Sequence, residues 1–272
     1  MDYASRTELM DMLKRISLPD EAAIQALDYP LTHEYVCEQY ALIKRDTRAF
    51  LKGIEAAPDA PQRFLALYCA FLPLCLRDYE AAGVPRSVFD DTFRDISRWE
   101  AEYNARTGLH GISESAWLSM HVCMRLFALG ELQFEPSDGE YELTPPDMRG
   151  LRQFNVHIPK GAHLELRERS YQMLLDFFGI DRAAVFCHSW LLSPALYKLL
   201  PESSRILAFQ REFSILKTYD SNRQAEERIF GDIIDQPERY PAGTSLQATA
   251  RAMLMRGELI PAALGVRLVA RG

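Results

Sequence analysis

The sequence predicts an α+β protein: an all-helical N-terminal domain over residues 1–110, then a mixed α/β domain over 111–272. Three observations predict it. Apolar residues recur at helical spacing through the first hundred or so positions. After Gly111 the pattern changes to short strand-like runs separated by turn signals. Charge is also split unevenly, with 13 basic and 18 acidic groups in residues 1–110 against 18 and 20 in the remainder.

Taken in order, Leu9, Met12, Leu13 and Ile16 mark a first helix, and Leu18-Pro19-Asp20 opens a second. Thr32 caps a long amphipathic helix expected to run to Ile54, carrying Tyr35, Val36, Tyr40, Ile43 and Phe50. Pro61 begins a helix that ends at Ala82 before Gly83. Pro85 opens another, with Val88, Phe89, Phe93, Ile96 and Trp99 on one face. Past Gly111, residues 124–129 and 131–135 read as a strand pair around Gly130, and Tyr141-Glu142-Leu143 as a short strand. Residues 153–158 form a strand stopped by Pro159, and a helix follows from about Leu164 to Phe178. Residues 183–188 form a further strand and Pro194–Leu200 a short helix. Strands are expected from Ile206 and from Phe213, a helix near 245–256, and a last strand over 265–269.

Composition narrows the function. The 272 residues carry a net charge of −7, which argues against non-specific binding to nucleic acid or to an anionic membrane. The longest apolar run, Phe64 to Leu76, contains Pro73 and falls short of the roughly 18–20 residues of a membrane span. The start, MDYASRTELMDM, has no apolar core and is not expected to be a signal peptide. Five cysteines without a C-x-x-C pair suggest reduced thiols in a cytoplasm, with no zinc site.

The stretch from Asn155 to Leu164 is the most informative. A strand breaks at Pro159, turns through Lys160, Gly161, Ala162 and His163, and enters a helix. Amide N–H groups at such a helix start, reached closely over glycine, make an anion site. A plain turn that needs glycine for its backbone angles explains the same residues. In Val185–Pro194, Cys187 and His188 point to opposite sides of a strand and cannot pair with each other. Cys187 reads first as a small buried residue. His188 shares a face with Trp190, as His157 does with Asn155. His121 and Cys123 suit one strand face, and Asp90-Asp91 and Glu226-Glu227 read as solvated helix faces.

The order strand, glycine turn, helix, strand, short helix, strand over 153–213 is similar to the acyl-CoA-binding half of GCN5-related N-acetyltransferases. More closely, the chain resembles bacterial two-domain acyltransferases, in which a helical N-acyltransferase N-terminal domain precedes a GNAT-like C-terminal domain. The matching stretches are RLFALGELQFE (125–135), NVHIPKGAHL (155–164) and CHSWLLSPALYKLLPESSRILAFQREF (187–213). The family's Arg/Gln-x-x-Gly-x-Gly/Ala loop is reduced here to its Gly161-Ala162 end, and Pro159 removes one amide donor.

The resemblance implies acetyl-CoA or another acyl-CoA as co-substrate, with no metal. The pantetheine arm would lie between strands 153–158 and 183–188, beside Asn155 and Ile158. The pyrophosphate would sit over Lys160, Gly161, Ala162 and His163. Ser189 and Trp190 would line the substrate pocket for a small-molecule or peptide amine. Direct attack of that amine on the thioester needs a base, an oxyanion donor and an acid for the thiolate. His157 and His188 are the candidate bases, the backbone N–H near Ile158 the oxyanion donor, and Tyr197 the acid. Two other readings remain: a catalytically silent module that binds acyl-CoA or a protein partner, and a thiol enzyme using Cys187.

Overall fold

A computed structural model describes residues 4–271, so the first three residues of the N-terminal stretch lie outside the described residues. The chain divides into two compact units, one ending at Leu129 and one beginning at Gly130.

The first unit is helical: α1 (Arg6–Arg15), α2 (Asp20–Asp28), α3 (His33–Arg45), α4 (Thr47–Glu55), α5 (Ala60–Ala81), α6 (Arg86–Phe93), α7 (Asp95–Thr107) and α8 (Ser115–Val122). It closes on a short strand, β1 (Phe127–Leu129). Among the described residues no strand precedes Gly108. Ser5 and Glu8 cap α1 reciprocally, satisfying two amides that the first helical turn leaves without partners. α5 is the axis of the unit. Leu65, Leu67, Cys69, Phe71, Leu72 and Cys75 along it are fully buried, so Phe64 to Leu76 is core. No helix among the described residues is long and apolar enough to cross a membrane.

Three elements of this unit differ from expectation. The helix expected from Thr32 to Ile54 breaks at Asp46, which leaves helical geometry and caps α4 by accepting from the Ala49 amide. The helix expected across Val88 to Trp99 is two helices meeting at Arg94. Residues 115–122 form α8 instead of a strand region. Its sequence, SAWLSMHV, is small or apolar nearly all round and shows no helical period to read. The structural division therefore falls at 129/130 and not near 110. His121 and Cys123 share no strand. His121 sits in α8, fully buried, with Nε2 3.1 Å from Asp95 Oδ2 and Nδ1 3.2 Å from the Trp117 carbonyl.

The second unit contains the strands β2 (Leu132–Pro136), β3 (Arg152–His157), β4 (Arg182–Ser189), β5 (Ser214–Tyr219) and β6 (Ala262–Ala270), in the order β2-β3-β4-β6-β5. β3 and β4 are parallel, joined by the crossover helix α9 (Arg167–Phe178); the other pairs are antiparallel. α9 covers one sheet face, burying Tyr171, Leu174 and Leu175, and the Tyr171 ring lies against Phe134. On the other face Ala184, Phe186, Leu264 and Val266 pack under Met148, Tyr141 and Leu151.

The run from Ile206, expected as a strand, is the helix α11 (Arg205–Gln210), capped by Ser204, after the single-turn α10 (Leu196–Leu199). Capping by Ser204 overrides the strand-like Ile-Leu-Ala-Phe composition. Residues 141–143 are turn and coil, not strand. Two helices follow β5, α12 (Gln224–Phe230) and α13 (Ser245–Met255). Glu226 in α12 is not on a solvated face: it is buried, bonded to Arg223 and to the Tyr240 hydroxyl.

Candidate active site

Pairing between β3 and β4 begins at Arg152↔Ala183 and stops at Asn155↔Phe186. Both strands run on. Val156 and His157 stay paired to β2, while Cys187, His188 and Ser189 stay paired to β6. Each strand thus keeps its outer neighbour while losing the inner one, which opens a gap in the sheet. Beyond Asn155 and Phe186, alternation places His157 and His188 on the same sheet face.

His157 stands beside a carboxylate. Its Nε2 lies 3.3 Å from Glu135 Oε2, and Asn155 Nδ2 donates to the same oxygen at 3.2 Å. Tyr141 donates its hydroxyl to Asn155 Oδ1 at 2.7 Å. His188 is exposed, its ring edge-on to Tyr219 at 4.7 Å. Partial desolvation holds its pKa below the ordinary imidazole value, so the ring is neutral at neutral pH.

After β3 comes the turn that carries Lys160, Gly161, Ala162 and His163. Gly161 has φ +82°, and a Cβ there would meet no atom within 4 Å. The turn is closed by the Ala162 amide donating to the Pro159 carbonyl. A 3-10 turn, Leu164–Leu166, precedes α9, so the regular helix begins later than expected. The His163 amide donates 2.9 Å to the carboxylate of Glu131. Arg167 opens α9, donates to the Leu164 carbonyl at 2.6 Å and pairs with Glu212.

The remaining expected residues are placed as follows. Ile158 directly follows β3, half-buried. Ser189 ends β4 and caps the next 3-10 turn through the Leu191 amide. The strand stops there, so Trp190 no longer alternates with His188; it packs against the cluster formed by Leu196, Leu207 and Met253. Tyr197, in α10, is 52% exposed and stands apart from both histidines in sequence and element. Cys187 is buried, and burial pushes its thiol up to about 12. Such a thiol holds almost no thiolate at neutral pH, which removes the chemical basis for a Cys187 nucleophile. Among the described residues no group of three or more His, Cys, Asp or Glu side chains is arranged to hold a metal.

Sequence reasoning missed Glu131, Glu135, Tyr141 and Tyr219. None has a local motif. Only the β2–β3 register brings Glu135 opposite Asn155.

The sequence pattern of the GNAT-like C-terminal domain matches residues 126–267, and that of the N-acyltransferase N-terminal domain matches residues 7–124. The chain belongs to this two-domain acyltransferase family. A comparison with curated proteins gave no match. Among solved structures, an acyltransferase in complex with decanoyl-CoA and teicoplanin is 21% identical, covers 97% of this chain and 88% of its own, and superposes with a TM-score of 0.77. An acyltransferase in complex with CoA and 10C-teicoplanin gives 19% identity, coverages of 96% and 88%, and a TM-score of 0.75. A tryptophan-to-alanine variant with octanoyl-CoA gives 20%, 98% and 90%, and 0.74. These likenesses are of fold.

Proposed function

We propose that the second unit binds an acyl-CoA in the gap between β3 and β4 and passes its acyl group to a small-molecule or peptide amine. The observation that carries this reading is the gap itself, with two imidazoles beside it and the open Gly161 turn after β3. The pantetheine arm enters the gap, and the diphosphate rests on the turn from Lys160 to His163. The neutral amine attacks the thioester carbon. A C–N bond forms, the C–S bond breaks, and the electron pair leaves on sulfur. His157 or His188 takes the proton from the amine nitrogen. The backbone N–H near Ile158 supports the oxyanion, and Tyr197 supplies the proton that the thiolate takes. Solved relatives carry octanoyl and decanoyl donors, so these stand beside acetyl-CoA as donors to try. Five free thiols suit a reducing cytoplasm as the location.

The donors of the turn favour a second reading, a catalytically silent module that binds acyl-CoA or a protein partner. Pro159 lacks an amide proton, and the His163 amide is already taken by Glu131. Calorimetric titration with acetyl-, octanoyl- and decanoyl-CoA, followed by CoA release with a panel of amines, separates the two. Heat with turnover supports the transferase, and heat without turnover for any amine supports the module. No heat and no thermal shift at millimolar donor ends the transferase reading and leaves a scaffold that binds a protein partner.

A further inference from the structure

We propose that Glu135 is a positioning residue that fixes the tautomer of His157, keeping the ring proton on Nε2 and the lone pair on Nδ1. The register places Glu135 directly opposite Asn155, and His157 lies two residues further along the same face of β3. One carboxylate therefore spans a direct and a diagonal cross-strand neighbour.

The polarity of each bond then follows from the chemistry of its ends. A carboxylate accepts and does not donate, so the groups facing Oε2 at 3.2 and 3.3 Å must be N–H groups. For Asn155 this is enforced from the other side. Tyr141 donates to Oδ1 at 2.7 Å, which turns the NH2 toward Glu135; the reverse amide orientation would set its oxygen against the carboxylate. Tyr141 is itself anchored, its amide donating 2.9 Å to Gln153 Oε1 and its ring 4.5 Å from Phe186. The chain Tyr141–Asn155–Glu135–His157 thus reaches the imidazole at Nε2–H. In the neutral ring the other nitrogen, Nδ1, must carry the lone pair.

The role in turnover rests on the transferase reading; the tautomer does not. When the amine is acylated, its proton goes to Nδ1. The ring becomes an imidazolium, and Glu135 stays a carboxylate beside the new charge. The proton then leaves to solvent when the ring resets.

The test is the long-range 1H–15N spectrum of the full chain, uniformly labelled, at alkaline pH where imidazoles are neutral. Assigned through His157→Gln, the His157 signals of the wild type should show the Nε2–H form. Glu135→Ala should move the ring to a mixture of tautomers, and Glu135→Gln, whose carbonyl still accepts, should restore the wild-type pattern. An Nδ1–H ring in the wild type, or an unchanged ring in Glu135→Ala, overturns the proposal; the wild-type spectrum decides it even if the alanine variant does not fold. In turnover, Glu135→Ala should lower kcat at least tenfold with the KM for the acyl donor unchanged. Full activity in His157→Gln with an Nε2–H wild-type ring would remove His157 from the chemistry while the tautomer assignment stands.

Discussion

His188 and His157 have different surroundings, and the pH profile tests His188 as the proton acceptor. His188 is partly desolvated, which lowers its pKa, and its ring lies against Tyr219. A lowered value keeps the ring neutral, and so basic, further into the acid range. If His188 is the base, the acid limb of kcat/KM should lie below the ordinary imidazole value of about 6.5. A limb at or above that value, together with full turnover in His188→Ala, excludes it. Gly161 gives a second prediction at this scale. Its φ of +82° strains any side chain by about 1–2 kcal/mol, yet the space around it is open. Gly161→Ala carries the backbone cost with little bulk, and Gly161→Val adds bulk together with the further strain of a β-branched side chain at positive φ. Val should weaken acyl-CoA binding by more than tenfold, about 1.4 kcal/mol, and clearly more than Ala. Equal losses by calorimetry would mean that backbone strain, not a blocked phosphate, is the cause.

The turn after β3 is a single element whose amides are shared between protein and proposed ligand. Glu131 is held in place from behind: its amide donates 2.8 Å to Ser170 Oγ on α9. Its carboxylate sits on the His163 amide, one of the groups on which the proposed diphosphate would rest. Glu131→Gln removes that charge while keeping an acceptor. It should tighten CoA binding several-fold and leave the affinity for acyl-pantetheine, which has no phosphate, unchanged. An equal change for both ligands would show that Glu131 acts on the pantetheine end or on the fold. Neither the Glu131 nor the Glu135 contact was legible in the sequence, because each joins distant positions through strand pairing or a turn that folds back. The strands themselves were legible. β4 carries Ala183-Ala184-Val185-Phe186-Cys187, a continuous apolar run buried on both faces, as a central strand with a parallel neighbour requires. β3 has the apolar pair Phe154 and Val156, and Pro159 marks where it must stop. α11 was misread because Arg205-Ile-Leu-Ala-Phe is strand-like in composition and its helix is only six residues long.

At the scale of the whole molecule, the proposed site falls within one of the two units. The boundary was legible only coarsely, because α8 has no helical period and its apolar residues read as the start of the sheet region. Every residue proposed to touch donor or acceptor lies in the unit that begins at Gly130, whereas a fully buried ionisable pair, His121 with Asp95, lies in the other. Asp95 is also held by Arg98 at 2.6 Å and by the Trp117 indole N–H at 2.9 Å, so its charge is satisfied from several sides. Removing His121 takes one hydrogen-bond partner from the buried Asp95 carboxylate while Arg98 and Trp117 remain, which costs about 1–3 kcal/mol. His121→Leu should therefore lower the melting temperature by several degrees, read by calorimetric scanning of the full chain. At a temperature where the variant is still folded, its Kd for acyl-CoA should equal that of the wild type. A weakened Kd in a variant whose melting temperature has not moved would place part of the donor site in the helical unit, and the assignment of the chemistry to residues 130–272 would fail.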